Sequence, residues 1–260
     1  MPNVMEPSME NGLADLPQGG NWKRQVRSTE AEILAGSVVY PFDNRDPRAA
    51  EQYRIARTKI IHHPNSPRVL AVTSPQAGDG KSVTAWNLAG ALALKDNHSV
   101  LLVDADLRRS ALAGLLDLPT LPGLTEVLRG DCSLPDAVLR VNLRPAIYLL
   151  PAGGRAGNPV ELLESVRWAQ ACAQMRSEFN HVVVDTTPVG VVADYELVER
   201  VADGVIVVVR PDHTDRTACL AALQVISRDK LLGVITNCVP EKFGGGAGYH
   251  NYKYYGPPHD

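Results

Sequence analysis

A short apolar strand, a glycine-containing loop and a helix follow one another without a gap between residues 69 and 95. The strand is predicted at Val69–Thr73, and an Ala- and Leu-rich helix over residues 82–95. Glycines in the loop let successive backbone N–H groups turn toward phosphate oxygens, and the helix directs the positive end of its dipole at the same point. This segment predicts a phosphate-binding loop in an α/β fold, and no other feature constrains the chain as strongly.

The phosphate loop gives each of its residues an expected role. Lys81 is expected to be an exposed side chain that reaches the β- and γ-phosphates of a nucleotide, and the Ser82 hydroxyl to bind Mg²⁺. Pro75 stands where the usual pattern has its first glycine. The alternative interpretation is a glycine-rich turn with a solvated lysine. The nucleotide-binding residues predicted in this loop are Gly78, Asp79, Gly80, Lys81, Ser82 and Val83.

Three aspartates follow two further apolar runs. Asp104 and Asp106 come after one run, two residues apart and hence on one side of an extended chain, and Asp185 follows another. Open α/β sheets bind their ligands at the carboxyl ends of strands. Mg²⁺ needs only one or two carboxylates besides phosphate oxygens. Each aspartate alone would be interpreted as a solvated strand end. Together with Ser82 they predict a magnesium site.

Strand patterns and helix patterns alternate along the chain, which predicts a doubly wound α/β domain with a mainly parallel sheet. The domain is expected over residues 46–240, between a mobile N-terminal extension, 1–45, and a flexible tyrosine-rich tail, 241–260. The extension is expected to hold one short helix near residues 26–34. The predicted strands are 69–73, 100–103, 147–150, 181–184, 204–209 and 232–235. The predicted helices are 46–61, 82–95, a broken stretch over 111–139, 159–179, 195–201 and 217–228.

Composition excludes several other classes of protein. Of the 260 residues, 45% are hydrophobic, and the net charge of −3 comes without a basic block, which argues against nucleic acid as a partner. No apolar run approaches the roughly 20 residues needed to span a bilayer, and no signal peptide is evident, so a cytoplasmic location is expected. The cysteines lie far apart and are interpreted as reduced core thiols, not as zinc ligands. They are Cys132, Cys172, Cys219 and Cys238.

The sequence Asp-Ala-Asp-Leu-Arg-Arg at residues 104–109 resembles the Walker A′ motif of bacterial tyrosine kinases, the BY-kinases of capsule and exopolysaccharide synthesis. These are P-loop proteins related to the ParA and MinD ATPases. The strand that ends at Asp185 has the form of their Walker B motif. The resemblance runs from about residue 46 to residue 256. It includes residues 51–58, 123–130, 158–163 and the tyrosine-rich end.

Three positions depart from the patterns of these relatives. Gln76 replaces the signature lysine of ParA and MinD proteins, so a dimer completed by a partner's lysine is not supported. Thr187 stands in Walker B where the kinase family often has proline, and Ser110 ends Walker A′ where proline is common. Both changes leave the aspartates in place. Asn237, after the last predicted strand, is expected from the resemblance to contact the adenine of ATP.

Half of the eight tyrosines fall within seven residues of the tail, beyond a glycine hinge. Two alternatives are an inert, sticky tail and a base-stacking platform for nucleic acid, the latter disfavoured by an acidic chain. The resemblance implies that they are phosphate acceptors, with Lys81, Asp104, Asp106 and Asp185 as catalytic residues. A phenol of pKa about 10 needs a base, which the resemblance places at Asp104. The acceptors would be Tyr249, Tyr252, Tyr254 and Tyr255.

Glu51, Arg54 and Arg57 recur every three residues and form a charged stripe on the first predicted helix. Taken alone, such a stripe is a solvated face with an internal ion pair. In BY-kinases that form rings, Glu-x-x-Arg-x-x-Arg is the subunit-contact motif. The resemblance therefore implies a homo-oligomer, expected to be a ring in which one subunit's tail reaches its neighbour's site.

The resemblance implies a protein-tyrosine autokinase that uses MgATP and regulates exopolysaccharide or capsule polymerisation and export. It further implies the split form of the family, recruited to the inner face of the plasma membrane by an adaptor of the polysaccharide co-polymerase type and reset by a tyrosine phosphatase. One alternative is a ParA/MinD-like ATPase switch without kinase activity. Another is a nucleotide-binding structural subunit whose tail docks to export machinery.

Overall fold

The computed structural model describes residue 23 and residues 26–30 and 46–239, and these described residues form one sheet of eight strands. The strand order is β1-β4-β5-β3-β6-β2-β7-β8, and every pairing is parallel except that between β4 and β5. The strands are β1 Arg27–Thr29, β2 Val69–Thr73, β3 Val100–Asp104, β4 Leu139–Val141, β5 Ile147–Leu150, β6 His181–Asp185, β7 Gly204–Val209 and β8 Leu231–Thr236.

Helices connect the strands and cover both faces of the sheet. Alternate residues of β2 show this directly, because Ala71 packs in the apolar core on one face and Leu70 in the core on the other. Burial on both faces explains why the central strands are continuous apolar runs. The helices are α1 Pro47–Ile61, α2 Lys81–Ala93, α3 Leu124–Arg129, α4 Leu134–Ala137, α5 Pro159–Glu164, α6 Val166–Glu178, α7 Asp194–Val201 and α8 Arg216–Val225, with a 3₁₀ turn at Gly114–Leu116.

The six predicted strands and the doubly wound parallel architecture are confirmed, and two strands were missed. β4 lies where the sequence predicted the end of a helix, because only three residues pair and Arg140 between them is polar. β1 lies in the predicted mobile extension, where a short helix was expected. Its three residues, Arg-Ser-Thr, are too polar to show a strand pattern, yet they pair with β4 at the sheet edge. The tyrosine-rich tail lies outside the described residues.

Two predicted helices are interrupted. The stretch over residues 111–139 contains only a 3₁₀ turn and the short helices α3 and α4. The stretch over residues 159–179 divides at Ser165, whose side chain caps α6 by accepting a hydrogen bond from the Trp168 backbone N–H. Within the ranges that the structure describes, no helix has both the length and the apolar character required to cross a membrane.

Adjacent central strands bring the predicted motifs to one edge of the sheet. β3, β6 and β2 are neighbours, and Asp104 at the end of β3 is paired in register with Asp185 at the end of β6. The phosphate loop follows β2, next to β6, and leads into α2. Parallel strands therefore place the loop and the three aspartates together, as the sequence predicted.

Candidate active site

The phosphate loop turns through two glycines with left-handed backbone. Gly78 has φ 91°, and Gly80, the N-cap of α2, has φ 93°. A Cβ atom on Gly80 would lie 2.0 Å from the Asn237 side-chain nitrogen. Glycine is therefore required at position 80 both for its backbone conformation and for the close approach of a neighbouring strand end.

Lys81 is a buried ion-pair partner in this site. Its Nζ lies 2.9 Å from Asp106 Oδ2 and 3.4 Å from Asp185 Oδ1, and its side chain is only 11% exposed. The expectation of an exposed loop lysine was wrong, because the first turn of α2 directs the side chain between two strand-end carboxylates. Burial lowers the pKa of Lys81, but attraction to Asp185 and Asp106 outweighs it and the net pKa is raised. Lys81 is therefore cationic at neutral pH.

Asp104 and Asp185 are buried neighbours with incompletely paired oxygens. Asp104 Oδ2 accepts hydrogen bonds from the backbone N–H groups of Ala111 and Leu112, each at 3.1 Å. Within residues 46–239, Asp104 Oδ1 and Asp185 Oδ2 have no hydrogen-bond partner. Burial, and next the charge of Asp185, raise the pKa of Asp104 to about 7. Burial also raises the pKa of Asp185, although Lys81 opposes this.

The orphaned carboxylate oxygens fit a divalent cation bound beside a nucleotide. The Ser82 hydroxyl is hydrogen-bonded to Asp185 in the same cluster, so a hydroxyl and carboxylates converge. No group of three or more ligands in the described part of the chain forms a ready-made metal cage. Mg²⁺ keeps several waters and takes phosphate oxygens besides one or two carboxylates. The residues that could hold it, directly or through water, are Ser82, Asp104, Asp106 and Asp185.

Asp79 has a role that the sequence did not reveal. Its buried carboxylate accepts a hydrogen bond from the Gln76 backbone N–H at 2.9 Å and from the Thr214 hydroxyl at 2.7 Å. The Nδ1 atom of His213 lies 3.0 Å from the same carboxylate. Asp79 therefore fastens the phosphate loop to the segment after β7. His213 and Thr214 could have been found in sequence, since they follow a buried strand that ends at the same sheet edge.

Two other strand ends contact the loop. Asn237, just after β8, donates a hydrogen bond from its side chain to the Asp79 carbonyl oxygen at 3.0 Å. Arg210, just after β7, donates a weak hydrogen bond to the Gly78 carbonyl oxygen at 3.4 Å. Asn237 thus lies beside the phosphate loop, and its contact with adenine stays a prediction. Val83, half-buried in the first turn of α2, belongs to the same region.

A second ion pair holds the segment after β3. Arg108 donates to both carboxylate oxygens of buried Asp194, at 2.8 and 3.0 Å, and so ties this segment to the start of α7. The Arg109 backbone N–H donates to Asp106 Oδ1 at 2.9 Å. The Arg109 contact holds one oxygen of Asp106, and the other oxygen faces Lys81. The Arg108–Asp194 pair could not be predicted from the sequence, because 86 positions separate its members.

The remaining predicted residues lie apart from this cluster. Glu51 and Arg54 form an ion pair of 3.0 Å on α1, and Arg57 is partly exposed on the same helix. This arrangement agrees with a surface stripe and does not by itself distinguish a solvated face from a subunit contact. The four predicted acceptor tyrosines lie outside the described residues.

Comparisons with known proteins show what this chain is similar to. The model of the CobQ/CobB/MinD/ParA nucleotide-binding domain matches residues 70–242, which include the phosphate loop and all three aspartates. Tyrosine-protein kinase CpsD of Streptococcus agalactiae is 31% identical over 208 residues, 79% of this chain and 90% of that protein. Tyrosine-protein kinase YwqD of Bacillus subtilis is 34% identical over 192 residues, 72% and 80% of the two chains. The crystal structure of the chimeric protein CapA2B2 is similar with a TM-score of 0.73 at 28% identity, covering 83% and 94%.

Asp104→Asn is expected to stabilise the protein in the absence of metal. The raised pKa of Asp104 means that the folded state holds a proton which the unfolded state releases, so wild-type stability falls as pH rises from about 4 toward 7. The asparagine amide is neutral and therefore avoids the cost of burying a charged carboxylate. The free energy of unfolding of the variant in EDTA should exceed that of wild type by about 1–2 kcal/mol at pH 8. This difference should be smaller at pH 5.5. Urea denaturation measures both, with exposed Asp96→Asn as the control; a loss of stability at pH 8 would contradict the prediction.

Lys81→Met is expected to destabilise the fold as well as to weaken nucleotide binding. Removing one member of a buried ion pair leaves carboxylates without their cation, which should lower the free energy of unfolding by about 3 kcal/mol at pH 8. The exposed lysine variant Lys95→Met is the matched control and should change stability little. If both variants unfold at the same urea concentration, Lys81 is not the buried partner described here.

Proposed function

This chain belongs to the bacterial protein-tyrosine kinases, a branch of the CobQ/CobB/MinD/ParA nucleotide-binding family, and we propose that it transfers the γ-phosphoryl group of ATP to tyrosines of its own C-terminal segment. One observation carries the proposal, namely the burial of Lys81 between Asp106 and Asp185 directly after a phosphate loop. This is an arrangement for phosphoryl transfer, in which catalysis is largely positioning and charge stabilisation.

In the proposed reaction, the backbone N–H groups from Gly78 to Ser82 hold the phosphates, and Lys81 moves from its carboxylate partners to the β- and γ-phosphates. Ser82 and the three aspartates would hold Mg²⁺, which when bound neutralises phosphate charge. Arg108, through Asp194, keeps the segment that carries Asp106 in place. These assignments are supported by the convergence of the side chains at the carboxyl ends of β2, β3 and β6.

Asp104 is proposed as the group that receives the tyrosine proton. Its Oδ1 has no hydrogen-bond partner within residues 46–239, and its pKa of about 7 matches the requirement for a base near neutral pH. The two backbone N–H groups that bind Oδ2 hold the carboxylate in one orientation. A tyrosine hydroxyl near Oδ1 would transfer its proton there as the phenolic oxygen attacks the γ-phosphorus atom, and the bond between that atom and the β–γ bridging oxygen would break to release ADP.

The proposed acceptors are the four tail tyrosines. The described chain ends at Val239, two residues after Asn237, which contacts the phosphate loop. Tyr249 and Tyr255 follow 10 and 16 residues after Val239. At about 3.4 Å per residue, such a segment extends roughly 35 to 55 Å. That length is sufficient for the tail to enter the active site of an adjacent copy.

We further propose that copies assemble through Glu51, Arg54 and Arg57 of α1, in a ring that presents each tail to a neighbour. Each phosphate adds a charge of about −1.5 to −2, so a fully phosphorylated tail would be repelled by an anionic, ATP-bound site. Phosphorylation would then loosen the ring, and a tyrosine phosphatase would restore it. In this scheme a membrane adaptor of the polysaccharide co-polymerase type recruits and activates the kinase during exopolysaccharide or capsule synthesis.

A ParA/MinD-like switch without kinase activity is not favoured. Gln76 occupies the signature-lysine position, and its side-chain oxygen accepts a hydrogen bond from the Asp215 backbone N–H at 2.8 Å. The side chain is thereby held against the start of α8, and it carries no charge to offer to a partner's phosphates.

Replacing the four tail tyrosines by phenylalanine should remove nearly all autophosphorylation and leave ATP binding intact, because the rings stay and the accepting hydroxyls go. Phosphotyrosine is mapped by mass spectrometry after incubation with MgATP, with and without an adaptor's cytoplasmic segment. Asp104→Asn, which keeps the tail, is the control that should bind ATP but transfer poorly. The substitutions are Tyr249→Phe, Tyr252→Phe, Tyr254→Phe and Tyr255→Phe.

Two results would contradict the kinase proposal or its acceptors. If the four-phenylalanine variant is phosphorylated as wild type is, the acceptors lie elsewhere, with Tyr53 and Tyr40 next to be tested. If wild type hydrolyses ATP and yields no phosphotyrosine with or without the adaptor segment, the ATPase-switch alternative is favoured instead.

Arg54→Ala combined with Arg57→Ala is expected to give a folded, ATP-binding protein of smaller mass in solution, which phosphorylates its tail slowly. The half-exposed Arg54–Glu51 pair contributes little to the stability of the monomer, so the fold should tolerate the change. Light scattering measures the mass under conditions where wild type is oligomeric. Exposed Arg129→Ala and Arg155→Ala together form the control. An unchanged mass would assign the stripe to a solvated face.

A further inference from the structure

An apolar groove of about 570 Å³ opens beside the phosphate loop. One wall is the start of that loop, the second is the segment after β6, and the third is one face of α8. Its lining residues are Pro75, Gln76, Ala77, Val189, Gly190, Val191, Ala218, Ala221, Ala222 and Val225.

The groove has a composition that favours an uncharged aromatic occupant. Among its described lining residues, Gln76 has the one polar side chain, and none is charged. The Gln76 oxygen is already bonded to the Asp215 backbone N–H. Val191 is 67% exposed and Val225 44% exposed, on opposite walls. Exposed aliphatic side chains that converge on a groove are typical of an interaction site.

The groove borders the start of the phosphate loop. Val189, in its second wall, donates a backbone hydrogen bond to the Ser74 carbonyl oxygen at 2.9 Å and so joins that wall to the phosphate loop. The same wall begins four residues after Asp185, which pairs with Lys81. A peptide lying in the groove would therefore reach the place where the γ-phosphoryl group is proposed to lie.

We propose that this groove binds the tyrosine-rich C-terminal segment, residues 249–255, of an adjacent copy, by seating the ring of one tyrosine while another enters the site beside Asp104. This inference rests on the proposed kinase function and assigns the part of the site that selects its acceptor. The tail fits because it carries closely spaced aromatic rings that are neutral before phosphorylation, and because residues 240–248 give it roughly 30 Å of reach beyond the described chain.

The lining also predicts which form of the tail binds. A phosphotyrosine in the groove would place about −1.5 to −2 charges against an apolar lining without a cation, which would leave the phosphate desolvated and unpaired. The unphosphorylated tail should therefore bind and the fully phosphorylated tail should not. The groove accordingly favours binding of substrate and release of product.

Ala221→Arg tests the groove by placing a long cationic side chain in its third wall. Ala221 is exposed on α8 and arginine is a good helix former, so the fold should be retained. Gln224→Arg, an exposed position on the same helix outside the groove, is the matched control. Val191→Lys, in the second wall, is an independent variant. None of these residues belongs to the proposed catalytic cluster.

Two measurements are made on the full-length variants. A fluorescein-labelled peptide of residues 240–260, with its four tail tyrosines replaced by phenylalanine, is titrated by fluorescence anisotropy. Autophosphorylation of the tail and ATP hydrolysis without peptide are then followed in MgATP. Ala221→Arg and Val191→Lys should each bind the peptide at least tenfold more weakly and phosphorylate their tails at least tenfold more slowly, at wild-type rates of ATP hydrolysis. Gln224→Arg should match wild type.

The outcomes separate the groove from the kinase proposal. Equal peptide binding by wild type and both groove variants, or no binding to wild type, overturns the groove assignment whether or not phosphotyrosine forms. Loss of oligomer mass in Ala221→Arg with peptide binding unchanged also overturns it and assigns the face to a second copy. If the groove variants bind the peptide more weakly than wild type, as expected, but wild type forms no phosphotyrosine, the groove assignment stands and the kinase proposal is refuted. A tetraphosphorylated peptide that binds as tightly as the phenylalanine peptide would refute the selectivity.

Discussion

The attraction between the buried Lys81 ammonium group and the carboxylates around it organises this molecule. Two strand ends contribute three aspartates to one small volume, and like charges in a buried site repel strongly unless a cation or a proton intervenes. Lys81 supplies one positive charge directly to Asp106 and Asp185. Asp104 and Asp185 still keep oxygens without a hydrogen-bond partner within residues 46–239, and burial, which disfavours their charged forms, raises the pKa of both. The site is thus electrostatically incomplete without further positive charge, and a metal-bound nucleotide would both occupy Lys81 and supply that charge.

The sequence predicted the parts of the fold and site that depend on local pattern. Central strands such as β2 and β7 are buried on both faces, so their apolar runs were correctly delimited. The spacing of glycine and lysine identified the phosphate loop, because the residues that bind phosphate in such a loop are consecutive in sequence. β1 and β4 escaped prediction because a three-residue strand is specified by its neighbour in the sheet and carries almost no pattern of its own.

Contacts between distant residues could not be predicted in this way. Asp79 was predicted only as one of the residues of the nucleotide-binding loop, and its side chain binds Thr214, 135 positions away, and so fixes that loop. Lys81 was expected to be exposed, and its burial could not be predicted from the loop alone. That burial depends on carboxylates that two other strands supply. The groove beside α8 is likewise formed by three segments, none of which is unusual in sequence. A sequence pattern predicts the structure of one segment at a time, whereas the site depends on contacts between residues of different segments.

The strand order makes the two edges of the sheet different from each other. β1 and β8 lie at opposite edges of the sheet, seven strand spacings apart, which corresponds to roughly 30 to 35 Å. The described chain ends three residues after β8, at one edge, and β1 forms the other edge. The two flanks of the domain therefore differ in chemistry. One flank leads into Asn237 and the phosphate loop, whereas the other ends in a polar strand of three residues.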